Sequence, residues 1–143
     1  MKAQLYLMGD GDDIREHIEF YLLNSDLNAL TSFSKNLTKA ITVIMEFAVS
    51  RMDAEVIYAG GDEIFFRIDK DRYNRTFIEE MISIFQKITS NTISFGVGES
   101  VEAAFLNMRR AKALGRGEIV EWGVKKRTNH YTFSLRLRDR INI

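Results

Sequence analysis

The chain has 143 residues, 45% of them hydrophobic, with 20 Lys/Arg against 20 Asp/Glu, no cysteine and no proline. Such a composition suits one folded domain with a real core, and it excludes a disordered chain, a disulfide framework, a thiolate metal centre and a thiol nucleophile. The charge is unevenly spread: residues 1–63 carry five Lys/Arg and eleven Asp/Glu, a net of −6, so the remaining residues carry +6.

Taken in order, Lys2 to Met8 reads as a strand, with Ala3, Leu5 and Leu7 on one side and Tyr6 and Met8 on the other, buried on both faces. Gly9 to Asp12 reads as a loop. A helix is expected from Asp13 to Leu23, with Ile14, Ile18, Tyr21 and Leu22 on its inner stripe and Asp12 or Asp13 as its cap. After an interruption at 24–28, Leu30, Phe33, Leu37, Ile41, Ile44 and Ala48 repeat at three and four residues, the core stripe of a helix over 29–51. His17 reads as a surface helix residue.

Two runs of β-branched and aromatic residues follow, near 54–59 and 63–69, joined by Gly60-Gly61-Asp62-Glu63. This is the pattern of a β-hairpin with a tight, acidic turn. Asp71 is the expected cap of a helix over 72–89, facing inward through Phe77, Ile78, Met81, Ile82 and Phe85. Thr92 to Val97 reads as a strand, Ser100 caps a helix over 101–114 that Gly115 ends, and Glu118 to Trp122 is a short strand. The last twenty residues set Lys125, Lys126, Arg127, Arg136, Arg138 and Arg140 against Asp139, with a further strand at His130 to Leu135. The expected organisation is one domain over 1–123 and a basic C-terminal extension, 124–143, packed on it.

With the two helices after the first strand taken as one layer, the order is β-α-β-β-α-β plus an α-β unit. That is an α+β, ferredoxin-like arrangement, an antiparallel-containing sheet with helices mainly on one face. In it the first strand lies beside the hairpin, so Asp10-Gly11-Asp12-Asp13 and the Asp62-Glu63 turn are expected to meet. Carboxylates gathered at one sheet edge repel each other unless a cation sits among them. Magnesium suits such oxygen ligands and is commonly shared with substrate phosphates. The free N–H groups at the start of the following helix offer a further seat for phosphate.

Gly60-Gly61-Asp62-Glu63, preceded by a strand ending in Gly9-Asp10-Gly11-Asp12, resembles the GGDEF nucleotidyl cyclases and the palm domain of the type III CRISPR large subunit. Ser94-Phe95-Gly96 is similar to the family's Ser-x-Gly strand, and Ala111-Lys112-Ala113-Leu114-Gly115-Arg116 to its Ala-Lys-x-x-Gly-Arg element. Over residues 3–122 the chain looks most like the minimal CRISPR polymerases, stand-alone palm domains of antiphage defence. The resemblance implies a cytoplasmic nucleotidyltransferase using Mg2+ or Mn2+ to condense ATP into a cyclic oligoadenylate, a cyclic di-adenylate above all, read by a separate and often membrane-bound effector. It implies metal ligation by Asp10, the Gly11 carbonyl, Asp62 and Glu63, with Asp10, Asp62 and Glu63 catalytic. Gly60 and Gly61 would leave room for the nucleotide, and Lys112 and Arg116 would hold its triphosphate. It also implies a homodimer that closes the ring across its interface. Asp12 and Asp13 are expected to support the site without ligating metal.

Two departures bear on the base. The guanine-reading region of diguanylate cyclases is replaced here by Arg15-Glu16-His17-Ile18-Glu19-Phe20, and their inhibitory Arg-x-x-Asp becomes Arg51 with Ala54, which leaves adenine favoured. The competing readings are a non-catalytic nucleotide-binding palm and a metal-dependent nuclease. Nucleic acid ranks last as a partner, because Lys112 and Arg116 suit a triphosphate better than a backbone groove.

Overall fold

Strand β1 (Gln4–Gly11) occupies the middle of a five-stranded sheet in the computed structural model, which describes residues 2–121. Helices α1 (Ile14–Leu23) and α2 (Leu27–Met52) follow it, then the hairpin strands β2 (Glu55–Gly60) and β3 (Glu63–Asp69). A 3-10 turn at Lys70–Arg72 leads to α3 (Arg75–Thr89), β4 (Ile93–Gly98), α4 (Val101–Leu114) and the two-residue β5 (Ile119–Val120). The sheet order is β2-β3-β1-β4-β5, antiparallel except for the β4–β5 pair. The expected α+β palm architecture is therefore the one observed.

Register decides which side chains share a face. Leu7 stands opposite Phe66 on one side and Val97 on the other, and all three are buried with Ile44 of α2 and Phe85 of α3. Ile14 brings α1 to the same side. One residue along, Met8 aligns with Phe65 and Gly96 on the opposite face, and there, among the described residues, α4 is the helix that packs. Its approach depends on Gly96: a Cβ at that position would stand 2.0 Å from the Met108 nitrogen and 2.3 Å from the Ala104 oxygen. Burial on β1 accordingly alternates, with Leu5 and Leu7 fully buried and Tyr6 and Met8 only half-buried.

Several local expectations need correction. Gly9, Asp10 and Gly11 belong to β1 and not to a loop, because a central strand is paired on both edges, here through Asp10↔Glu63 and Asp10↔Ser94. Gly9 fits because a Cβ there would lie 2.5 Å from the Phe95 ring. Helix α2 starts earlier than 29, capped by the Asp26 carboxylate, which accepts from the Ala29 N–H at 3.1 Å. Asn74 caps α3 in place of Asp71, since Lys70–Arg72 is already committed to its own turn. Leu22 is exposed, lying off the α1 stripe that meets the core. The strand expected at 130–135, Trp122 and the basic extension lie outside the described residues.

Candidate active site

The hairpin turn delivers the first acids. Gly60 pairs with Glu63 across Gly61-Asp62, and Gly61 takes φ 59°, the positive sign that a two-residue turn with glycine in first place requires. Because Asp10 is opposite Glu63 in the register and the Gly11 N–H donates to the Asp62 carbonyl at 2.9 Å, the turn is tied to the end of β1. Asp10, Asp62 and Glu63 thus come together, each offering a carboxylate oxygen within 4.8 Å of the others. Burial and the neighbouring Asp10 carboxylate push the Asp62 carboxyl up to about 6.

Helix α4 supplies cations to the same place. The Lys112 Nζ donates to the Asp10 carbonyl at 2.8 Å, the Gly11 carbonyl at 2.7 Å and Asp12 Oδ1 at 2.9 Å, and it stands 3.3 Å from Asp10 Oδ2. Asp12 is only 4% exposed. Beside Lys112 it accepts from Thr92 Oγ1 at 2.7 Å, from Ser94 Oγ at 3.0 Å and from the Gly117 N–H at 2.8 Å. One carboxylate therefore binds the end of β1, the start of β4 and the loop after α4. Asp13 takes φ 60° at the head of α1, makes no side-chain cap, and pairs with Arg116. Neither carboxylate caps the helix, contrary to the expectation for Asp12 or Asp13, because both already serve α4 and its loop.

An open cleft of about 1090 Å³ contains Asp10, Gly11, Asp62, Glu63, Lys112 and Arg116, together with the uncapped start of α1. Gly60 and Gly61 instead line a smaller pocket of about 150 Å³ against α2, with Thr38, Ile41, Thr42 and Met45. The hairpin rests its glycines toward α2 and offers its acids to the cleft, so the glycine pair and the acids do not share one lining.

Two features differ from the sequence reading: Arg109 was passed over, and His17 is not the surface helix residue expected. Arg109 lines the cleft one turn before Lys112 on the same face of α4, while Arg116 reaches the cleft from the loop beyond the helix end at Leu114. His17 is half-buried: its ring stacks on Tyr21 and meets Phe33 edge-on, and its Nδ1 lies 2.7 Å from the Asn91 amide nitrogen. The same amide donates to the Asp12 carbonyl at 2.9 Å. Asn91, only 6% exposed, so braces the backbone between β1 and α1. The aromatic spacing of His17, Tyr21 and Phe33 held the only sequence signal for this cluster.

Chemically, the cleft combines acceptor oxygens at its floor, cations on one wall and free helix N–H groups at its end. Hard carboxylate and carbonyl oxygens are the donor set of a divalent cation such as magnesium. The Asp62 carboxyl is raised first by burial and then by the neighbouring Asp10 charge, and a divalent cation between the two acids would offset that repulsion. The residues present fit that group.

The family profile described as minimal CRISPR polymerase domain matches residues 6–122. No curated protein matches the chain in sequence. Among solved structures, a Csm1-Csm4 cassette in complex with pppApA is similar with a TM-score of 0.68 and 19% identity, covering 82% of this chain and 20% of that one. A Csm1-Csm4 cassette in complex with AMPPNP gives 0.62 and 22%, with the same coverage of each chain. The active GGEEF domain of a diguanylate cyclase from Vibrio cholerae gives 0.56 and 10%, covering 85% of this chain and 84% of that one. The chain thus spans about a fifth of the Csm1-Csm4 chains it matches. At these identities the likeness is one of fold.

Proposed function

The chain belongs to the minimal CRISPR polymerase family, and from that premise we propose that it condenses ATP into a cyclic oligoadenylate, releasing pyrophosphate. The observation that carries this reading is the convergence of Asp10, Asp62 and Glu63 within 4.8 Å, in one cleft with Lys112 and Arg116. In the proposed reaction a ribose hydroxyl attacks the α-phosphorus of a second ATP. The new P–O bond forms as the bond to pyrophosphate breaks, and the hydroxyl proton passes to solvent.

Asp10, Asp62 and the Gly11 carbonyl are the proposed ligands of Mg2+ or Mn2+, with Glu63, the most exposed of the acids, beside them. A divalent cation there would acidify the attacking hydroxyl and offset charge on the leaving pyrophosphate. Lys112 and Arg116 bring positive charge to the triphosphate, and the uncapped start of α1 offers N–H donors to its oxygens. Adenine is favoured by the ligands bound in the structurally similar Csm1-Csm4 cassettes, pppApA and AMPPNP. We assign the product a signalling role in antiphage defence, read by a separate effector, and place two copies face to face for ring closure.

Pyrophosphate release from ATP with Mg2+ tests the reaction. Asp62→Ala is expected to lower it at least about 100-fold, the loss of a few kcal/mol of transition-state stabilisation. A variant equal to wild type, or no release from any nucleotide, would overturn the proposal in favour of a non-catalytic palm.

A further inference from the structure

The cleft already holds one cation, and it belongs to the chain. All three protons of the Lys112 ammonium have acceptors: the Asp10 carbonyl, the Gly11 carbonyl and Asp12 Oδ1, at 2.8, 2.7 and 2.9 Å. The same nitrogen is 3.3 Å from Asp10 Oδ2, so it adjoins the carboxylate trio directly. The Gly11 carbonyl it occupies is the backbone oxygen assigned above to the metal.

We propose that Lys112 is the resident counter-ion of this acidic cluster, so that a divalent cation binds weakly alone and binds well once a triphosphate draws the ammonium away from Asp10 and Gly11. The inference rests on the reading of Asp10 and Asp62 as cation ligands. A dication and an ammonium sharing Asp10 and Gly11 repel each other at close range, where the cleft wall reduces screening. Phosphate oxygens offer Lys112 an alternative anionic partner, so the two ligands assist each other reciprocally.

The departure of Lys112 is made easy by its anchor. Asp12 keeps three other donors, Thr92 Oγ1, Ser94 Oγ and the Gly117 N–H, so its buried carboxylate is not left bare when the ammonium moves. A lysine whose role was only to neutralise Asp12 would need no contact with Gly11 or Asp10.

The test is Mn2+ binding to the full chain without nucleotide, read as free Mn2+ by electron paramagnetic resonance. Lys112→Met and Lys112→Gln remove the charge, the second keeping a donor for Asp12 should the first fail to fold; thermal melts establish that each is folded. Both neutral variants are expected to bind Mn2+ on the order of tenfold more tightly than wild type. Lys112→Arg is expected to stay near wild type. Neutral variants that bind Mn2+ no more tightly than wild type would overturn the inference while leaving the metal site intact. Asp62→Asn separates the two claims. If it binds Mn2+ as well as wild type, or if no variant binds at all, the ligand assignment itself fails and the inference with it.

Discussion

Asp62 lies half-buried beside Asp10, and this raises its carboxyl to about 6. A carboxyl raised in the fold takes up its proton before the unfolded chain does. Its stabilising contribution is complete below the ordinary value of 3.8 and is lost as pH rises through about 6. Metal-free wild type is therefore expected to lose thermal stability relative to Asp62→Asn across that window, and added Mg2+ to restore it above the window. Parallel melting curves for the two proteins at every pH would contradict this. At this scale the acids were the legible part, since Asp10 and the Asp62-Glu63 turn stand in glycine-flanked motifs that few structural roles demand. Asp12 was harder to place. Its partners Thr92, Ser94, Lys112 and Gly117 are 80 to 105 positions away, and only the folded register brings them to one carboxylate.

The placement of α4 controls the cationic wall. Lys112 and Arg116 face the acids only because the helix lies close on the Gly96 side of the sheet, with Gly98 giving similar clearance under Ala103 and Ala104. Gly96→Ala would drive a methyl into the Met108 and Ala104 backbone, which no rotamer change can relieve. The expected cost is about 3 kcal/mol, the upper end for overpacking, read by denaturant unfolding. A stability within about 0.5 kcal/mol of wild type would mean that α4 does not pack as described. Helical periodicity made α2, α3 and α4 readable in outline, and Ser100 does cap α4, accepting from the Ala103 N–H at 3.1 Å. The end of β1 was not readable in the same way. Gly9, Asp10 and Gly11 have low strand propensity, and their extended form comes from the partner strands on either side.

For the molecule as a whole, the order of elements was enough to expect the sheet, because a strand, a helical layer, a hairpin, a helix and a strand leave few unknotted arrangements. What that order could not convey is the division of the helices among the described residues, three on one face and α4 on the other, which follows from packing at Gly96. The same architecture bears on assembly. Closing a ring between two nucleotides requires each hydroxyl to reach the other's α-phosphate, a geometry that two copies about a twofold axis supply. Sedimentation with ATP and Mg2+ is expected to give a dimer; a strict monomer under those conditions would contradict the face-to-face arrangement. The most direct measurement of the central claim is mass spectrometry of the products formed from an equimolar mixture of ATP, GTP, CTP and UTP with Mg2+. The account predicts a cyclic oligoadenylate, foremost the cyclic di-adenylate, from wild type and none from Asp62→Ala. A product built on another base, or no condensed nucleotide at all, would contradict it.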